Sequence, residues 1–172
     1  MIRSTTAATI LLAALAACTA GNSDIDAPPM GDEPIRTGRQ VYGFDGSNTI
    51  TISATYTNDT GATVWLPRCG YEPPSWTLER QEDDAWVPAY APVCLMVYAP
   101  PVAVEPGESV THGLEVHGPD IDAEPRLREP IDGTYRLVYA INDADDPGQG
   151  GGPQPEALPT ERRVSNGFRI ER

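Results

Sequence analysis

From Thr49 to Thr57 the chain alternates without a break: Ile50, Ile52, Ala54 and Tyr56 share one parity, while threonines and Ser53 hold the other. A period of two in β-branched residues predicts an antiparallel strand with one buried face and one wet face. The pattern recurs between Ser109 and His117, where Val110, Leu114 and Val116 share a parity, and Thr134 to Ile141 is a strongly apolar run. Shorter segments at 40–44, 62–66, 76–80, 85–90, 93–98, 102–104 and 164–170 read as further strands or strand pieces. Turn chemistry separates them, as in Asn58-Asp-Thr-Gly61, Gln81-Glu-Asp-Asp84 and Glu105-Pro-Gly-Glu108. No window beyond the first residues carries an apolar helical repeat. About seven to nine short strands at this spacing predict an all-β antiparallel sandwich.

The N-terminal region follows another pattern. Met1-Ile2-Arg3 is a short basic start, Ala7 to Ala17 is apolar and uncharged, and two alanines precede Cys18. The run is shorter than the roughly 18 apolar residues needed to span a bilayer, so it predicts a secretory signal. Leu15-Ala16-Ala17-Cys18 resembles the lipobox of bacterial lipoproteins. That resemblance implies removal of residues 1–17, lipidation of Cys18 by a diacylglycerol thioether, and durable anchoring by two or three acyl chains. Thr19 follows the cysteine where Asp would signal retention, so outer-membrane delivery is implied in an envelope with two membranes. Residues 18–38, rich in Asp, Pro, Gly and Asn, predict a lipidated flexible tether, and the folded domain is expected over 39–172.

Export changes the reading of the remaining cysteines. Cys69 and Cys94 are an even pair without a Cys-x-x-Cys spacing or a nearby histidine, and in an oxidising compartment they predict a disulfide. Charge narrows the partners: 12 basic residues, all Arg, stand against 25 acidic ones, and loss of Arg3 with the signal leaves a formal charge of −14. Such a surface repels nucleic-acid phosphate, so no nucleic-acid partner is expected. The acidic, lysine-free composition suits a salt-adapted protein and equally a genome biased against Lys codons.

Asp132-Gly-Thr-Tyr135 before an apolar strand resembles the Asp-x-Gly-x-Tyr pattern of immunoglobulin-like domains, whose tyrosine makes a corner contact. With Tyr56-Thr-Asn-Asp-Thr-Gly61 and Val104-Glu-Pro-Gly-Glu-Ser109, residues 40–171 resemble small bacterial immunoglobulin-like domains, including the intracellular proteinase inhibitor family. The resemblance implies an immunoglobulin-like sandwich, and inhibition of a protease as an alternative function. Leu137 stands two residues after the corner tyrosine, where antibody domains carry a cysteine, so a Cys69–Cys94 bridge would join loops or neighbouring strands instead.

Catalytic chemistry is sparse. His112 and His117 are the two imidazoles, and a separation of five on a strand sends them to opposite faces. No Gly-x-Ser-x-Gly, His-Glu-x-x-His or phosphate-binding loop occurs, and a non-enzyme is expected. Asn142-Asp-Ala-Asp-Asp-Pro-Gly148 lacks the spacing of a calcium loop; a weak Ca²⁺ site at Asp143, Asp145 and Asp146 is the one cofactor alternative to none. Trp76 and Trp86 read as core, whereas Tyr71, beside Gly70 and Pro73-Pro74, reads as surface. The long connection Asn142–Arg163 is the expected contact surface for an envelope protein, with Tyr71, Asp143, Asp145, Asp146, Arg162 and Arg163 as candidate binding residues. The sequence thus predicts a lipid-anchored, non-catalytic binding or accessory module, with a protease inhibitor or a glycan-binding or glycan-degrading domain as alternatives.

Overall fold

The computed structural model describes residues 31–44, 46, 48–70, 74–94, 99–120, 122, 124–145 and 155–172. These contain ten strands: β1 (Ile35–Thr37), β2 (Val41–Gly43), β3 (Thr49–Thr57), β4 (Val64–Leu66), β5 (Trp76–Glu82), β6 (Ala85–Tyr90), β7 (Val102–Val104), β8 (Ser109–His117), β9 (Gly133–Tyr139) and β10 (Phe168–Glu171). The strictly alternating segments make the longest ladder. β3 and β8 pair antiparallel over nine residues, from Thr49 opposite His117 to Thr57 opposite Ser109. β1 joins the other side of β3, giving the sheet β1-β3-β8.

The second sheet has the order β2-β10-β9-β5-β6, antiparallel except for the β2–β10 pair. The two sheets bury their apolar parities against each other. Ile52, Ala54, Tyr56, Leu114 and Val116 come from the first, and Leu78, Tyr135, Leu137, Tyr139, Phe168 and Ile170 from the second; each is 1% exposed or less. Sandwich and core follow from period-two patterning on both sheets.

Tyr135 makes the expected corner contact. Its hydroxyl donates to the Ile131 carbonyl at 2.6 Å, holding the entry to β9. Tyr139, two turns of the pleat later, is fully buried with a hydroxyl that has no hydrogen-bond partner among the described residues. The two tyrosines should therefore respond oppositely to loss of oxygen. Tyr135→Phe is expected to lower stability by about 1.5 kcal/mol, and Tyr139→Phe to raise it by about 1 kcal/mol, in urea denaturation curves. Equal effects of the two changes would contradict this assignment.

Cys69 and Cys94 form a disulfide with Cα atoms 4.7 Å apart. Neither lies in a strand, and Leu137 is buried where an inter-sheet cysteine would stand. The bridge ties the β4–β5 connection to the segment after β6. Closing a 25-residue separation should contribute roughly 3 kcal/mol, so a Cys69→Ser, Cys94→Ser double variant is expected to lose about that much in chemical denaturation. An unchanged midpoint would show that the segments are held without it.

Two expectations need correction. The sequence predicts a tether over 18–38, but Ile35 and Thr37 are buried in β1, and the sandwich starts earlier than residue 39. Thr37 is locked by Asn166, whose Oδ1 accepts from the Thr37 amide at 2.8 Å and whose Nδ2 donates to Thr37 Oγ1 at 2.9 Å. Trp86 is not core. Its side chain is half-buried on the outer face of the second sheet, where the Arg136 guanidinium lies 4.5 Å from the ring centre and pairs with Glu79 at 2.7 Å. Trp76 is core, stacked on Tyr90 at 5.7 Å.

Candidate functional site

Three connections gather at the end of the sandwich where β3 and β9 finish and β8 begins. Asn58 opens the first. It is fully buried, and its Nδ2 donates to the carbonyls of Ala62 (2.9 Å) and Val104 (2.8 Å), while Oδ1 accepts from the Thr60 amide and hydroxyl. One side chain thus binds the turn after β3 to the end of β7. The turn before β8 joins them through the Gly107 amide, which donates to the Asn58 carbonyl at 2.7 Å. Gly107 sits at a φ of +80°, a conformation that favours glycine and lets this Pro-Gly turn close.

A small accessory sheet covers this end. β4 pairs with β7, and Trp65 of β4 exchanges backbone hydrogen bonds with Asn142 at 2.8 and 3.0 Å. Asn142 in turn bridges to Ala157. Below that rung the Leu158 amide donates to the Ile141 carbonyl at 2.8 Å, and beyond it the Asp143 amide donates to the Glu156 carbonyl at 3.0 Å. The Asp143 carboxylate accepts from the Glu156 amide at 3.1 Å. The β9–β10 connection therefore has a fixed base: its two limbs are hydrogen-bonded to each other as far as Asp143 and Glu156.

The sequence-predicted residues divide on this frame. Asp143 and Asp145 are exposed at the base of the β9–β10 connection, with Asp143 also serving as its clasp. Arg162, in a single 3₁₀ turn (Thr160–Arg162), pairs with Asp59 and so joins this connection to the turn after β3. Arg163 folds back, donating from Nε to the Leu158 carbonyl at 2.6 Å and from Nη1 to the Tyr139 carbonyl at 3.4 Å; its geometry serves the loop, not a ligand. Cys18, Tyr71 and Asp146 lie outside the described residues. Among the described residues no three His, Cys, Asp or Glu side chains gather as metal ligands, and the suggested Asp143, Asp145, Asp146 set is not described as a whole. Asp59 carries no signal in the sequence, because it acts through Arg162, 103 residues away.

The end is acidic. Asp59, Glu105, Glu108, Asp143, Asp145, Glu156 and Glu161 are all exposed on these connections. Burial, with the nearby Asp59 charge, pushes the Tyr56 hydroxyl up to about 12, since a tyrosinate there would be poorly hydrated and repelled. His112, edge-on to Tyr139 at 6.5 Å, is lowered from the usual imidazole range by burial and by Arg68, which favours the neutral ring. His117 packs against Tyr90 instead, so the two imidazoles stay apart.

The chain also enters at this end. β1 runs antiparallel to β3 from Ile35 opposite Tyr56, and the Thr57 amide donates to the Pro34 carbonyl at 2.9 Å. Residues Asp32 to Pro34 therefore lie against Asp59 and Arg162, lining one shallow groove with them.

No protein-family model matches the chain, and no curated protein matches it. Among solved structures it is similar to the Pseudomonas fluorescens alkylpurine DNA glycosylase AlkC bound to DNA containing an abasic site analog, with a TM-score of 0.35 and 8% identity. The match covers 83% of this chain and 32% of that one, so the chain spans about a third of its length. A likeness this loose carries no argument about activity.

Proposed function

We propose that the protein is a lipid-anchored, non-catalytic binding module of the cell envelope that meets a protein partner through its β9–β10 connection. One observation carries this reading: the hydrogen-bonded base of the β9–β10 connection, at Asp143 and Glu156, and the residues that lead into β1, Asp32 to Pro34, share one end of the sandwich. With Cys18 in the membrane, about 14 residues lead to Asp32, and a polar linker of that length and composition would reach roughly 20 Å root-mean-square. The contact end is then held close to the bilayer. Its acidic rim keeps it off anionic headgroups and suits a partner with a basic membrane-proximal surface. The disulfide is compatible with an exported protein.

Anchor and contact are separable in one experiment. Cys18→Ser is expected to move the protein from the membrane fraction to the soluble one, with the sandwich still folded. Replacing residues 144–155 with a tight Asn-Gly turn between Asp143 and Glu156 should leave it membrane-bound and folded. That variant is expected to lose the cross-linked partner that the intact chain captures from native envelopes. Equal capture by both chains would move the contact elsewhere, and membrane retention of Cys18→Ser would remove the lipid anchor. Retention on polysaccharide resin or dose-dependent loss of a protease activity would instead favour the glycan-binding or inhibitor alternatives.

A further inference from the structure

Every sheet edge leaves the amide and carbonyl of alternate residues without partners, and folded proteins shorten, kink or block such edges. Among the described residues, three of the four edges of the two main sheets are managed that way. β1 and β2 are three residues each, and β6 carries Pro88 with a register shift opposite Leu78 and Glu79. β8 differs: nine residues, no proline, and no register shift against β3.

The phase of the β3–β8 ladder shows which groups face outward. The Asn58 amide donates to the Glu108 carbonyl at 2.9 Å, and the Gly118 amide to the Asn48 carbonyl at 2.7 Å. Even-numbered residues of β8 therefore bond β3, and odd-numbered ones turn their backbone groups to the open side. At His117 that side is closed, because its carbonyl accepts from the Leu127 amide at 2.8 Å and its backbone meets the Tyr90 hydroxyl. Thr111, Gly113 and Glu115 are exposed, with no backbone partner on that side among the described residues.

A groove of about 650 Å³ runs beside this edge. Trp76, Tyr90 and Leu114 line it with Pro92 and Val93, and Val93 is 67% exposed. Main-chain groups on an open edge, flanked by apolar slots for alternate side chains, are the requirements for strand addition. Charge selects the occupant: Glu115 is exposed on the edge and acts on the Tyr90 hydroxyl in the groove, and the chain carries a formal −13.

We propose that β8 accepts an additional strand from a cationic, extended segment of a partner protein, with small aliphatic side chains in the Trp76–Tyr90 groove and Lys or Arg beside Glu115. This surface is distinct from the base of the β9–β10 connection and does not depend on it.

The test uses the full chain in detergent micelles and a synthetic eight-residue peptide alternating Val and Lys. In the free protein, amide exchange followed by NMR is expected to be at least tenfold faster at Thr111, Gly113 and Glu115 than at His112 and Leu114. Added peptide should slow those three amides at least tenfold. Two isomeric peptides N-methylated on alternate amides should separate, one binding like the parent and the other at least tenfold weaker. Glu115→Arg, a change at an exposed side chain, should weaken the parent peptide about tenfold at low salt. Protection of the three amides before peptide is added would overturn the proposal by showing the edge already occupied. Protection that grows with protein concentration would assign the edge to a second copy, and equal binding of the two methylated isomers would exclude strand addition.

Discussion

Replacing Asn58 with alanine is expected to lower the unfolding free energy by about 4 kcal/mol, the largest loss from any single polar side chain here. The side chain is fully buried and makes four hydrogen bonds, two as donor and two as acceptor. Alanine removes all four and leaves the Val104 carbonyl without its 2.8 Å partner at a buried position. A buried acceptor that loses one of its partners finds no water in its place, so the penalty exceeds that of a surface hydrogen bond. Asn58→Asp sharpens the test. It keeps both acceptor contacts to Thr60 but turns a second oxygen toward the carbonyls of Ala62 and Val104, so it should be at least as destabilising as alanine at neutral pH. Thr60→Ala removes only the contacts of one partly buried turn, and about 1 kcal/mol is expected. Urea denaturation of the three variants gives the ranking. An Asn58→Asp variant close to wild type would mean that the two donor contacts contribute little.

Because the Asn58 side chain joins the turn after β3 to the end of β7, its loss should also loosen the accessory sheet and the base of the β9–β10 connection. Amide exchange at Trp65 and Asn142 would report this, since these residues form the rung between the accessory sheet and the β9–β10 connection.

The legible parts of the fold are those whose signal is local. Thr49–Thr57 and Ser109–His117 coincide with β3 and β8 because alternating side chains and turn residues mark both face and end within the segment. The Tyr135 corner was legible for the same reason: hydroxyl and acceptor are four residues apart. β1 was not legible. Ile35 and Thr37 are two inward residues in an Asp-, Pro- and Gly-rich stretch, and only their partners, Tyr56, Ala54 and Asn166, make them a strand. Trp86 misled because size and apolarity were read as burial, whereas Arg136 covers it from the outer face. At the candidate site, acidity and length of the connection were visible in the residues. Its rooting was not, because Asn142, Ala157 and Trp65 meet only through tertiary pairing.

Raising the pH should unfold the protein between about pH 10 and 12, with loss of β-sheet circular dichroism and appearance of tyrosinate absorbance in a single transition. Tyr56 and Tyr135 are both pushed from 10.0 up to about 12, chiefly by burial, and burial raises Tyr42, Tyr90 and Tyr139 as well. The folded chain holds these hydroxyls neutral, while the unfolded chain releases their protons near the ordinary value. Stability from this source is therefore fully present below pH 10 and falls as the unfolded tyrosines ionise. For Tyr56 and Tyr135 the loss is complete near pH 12. A rise from 10.0 to about 12 corresponds to about 2.7 kcal/mol; allowing for partial solvation of the oxygens, each contributes about 2 kcal/mol. Two such groups remove about 4 kcal/mol, and the other three deepen the fall, against a typical domain stability of about 5–15 kcal/mol. Tyr135→Phe separates the terms. It is expected to be less stable at pH 7, through the lost bond to Ile131, yet to show a shallower decline above pH 10 because one buried phenol no longer titrates. Tyrosines that ionise near pH 10 while the sheet signal persists would show that these hydroxyls reach water in the folded protein.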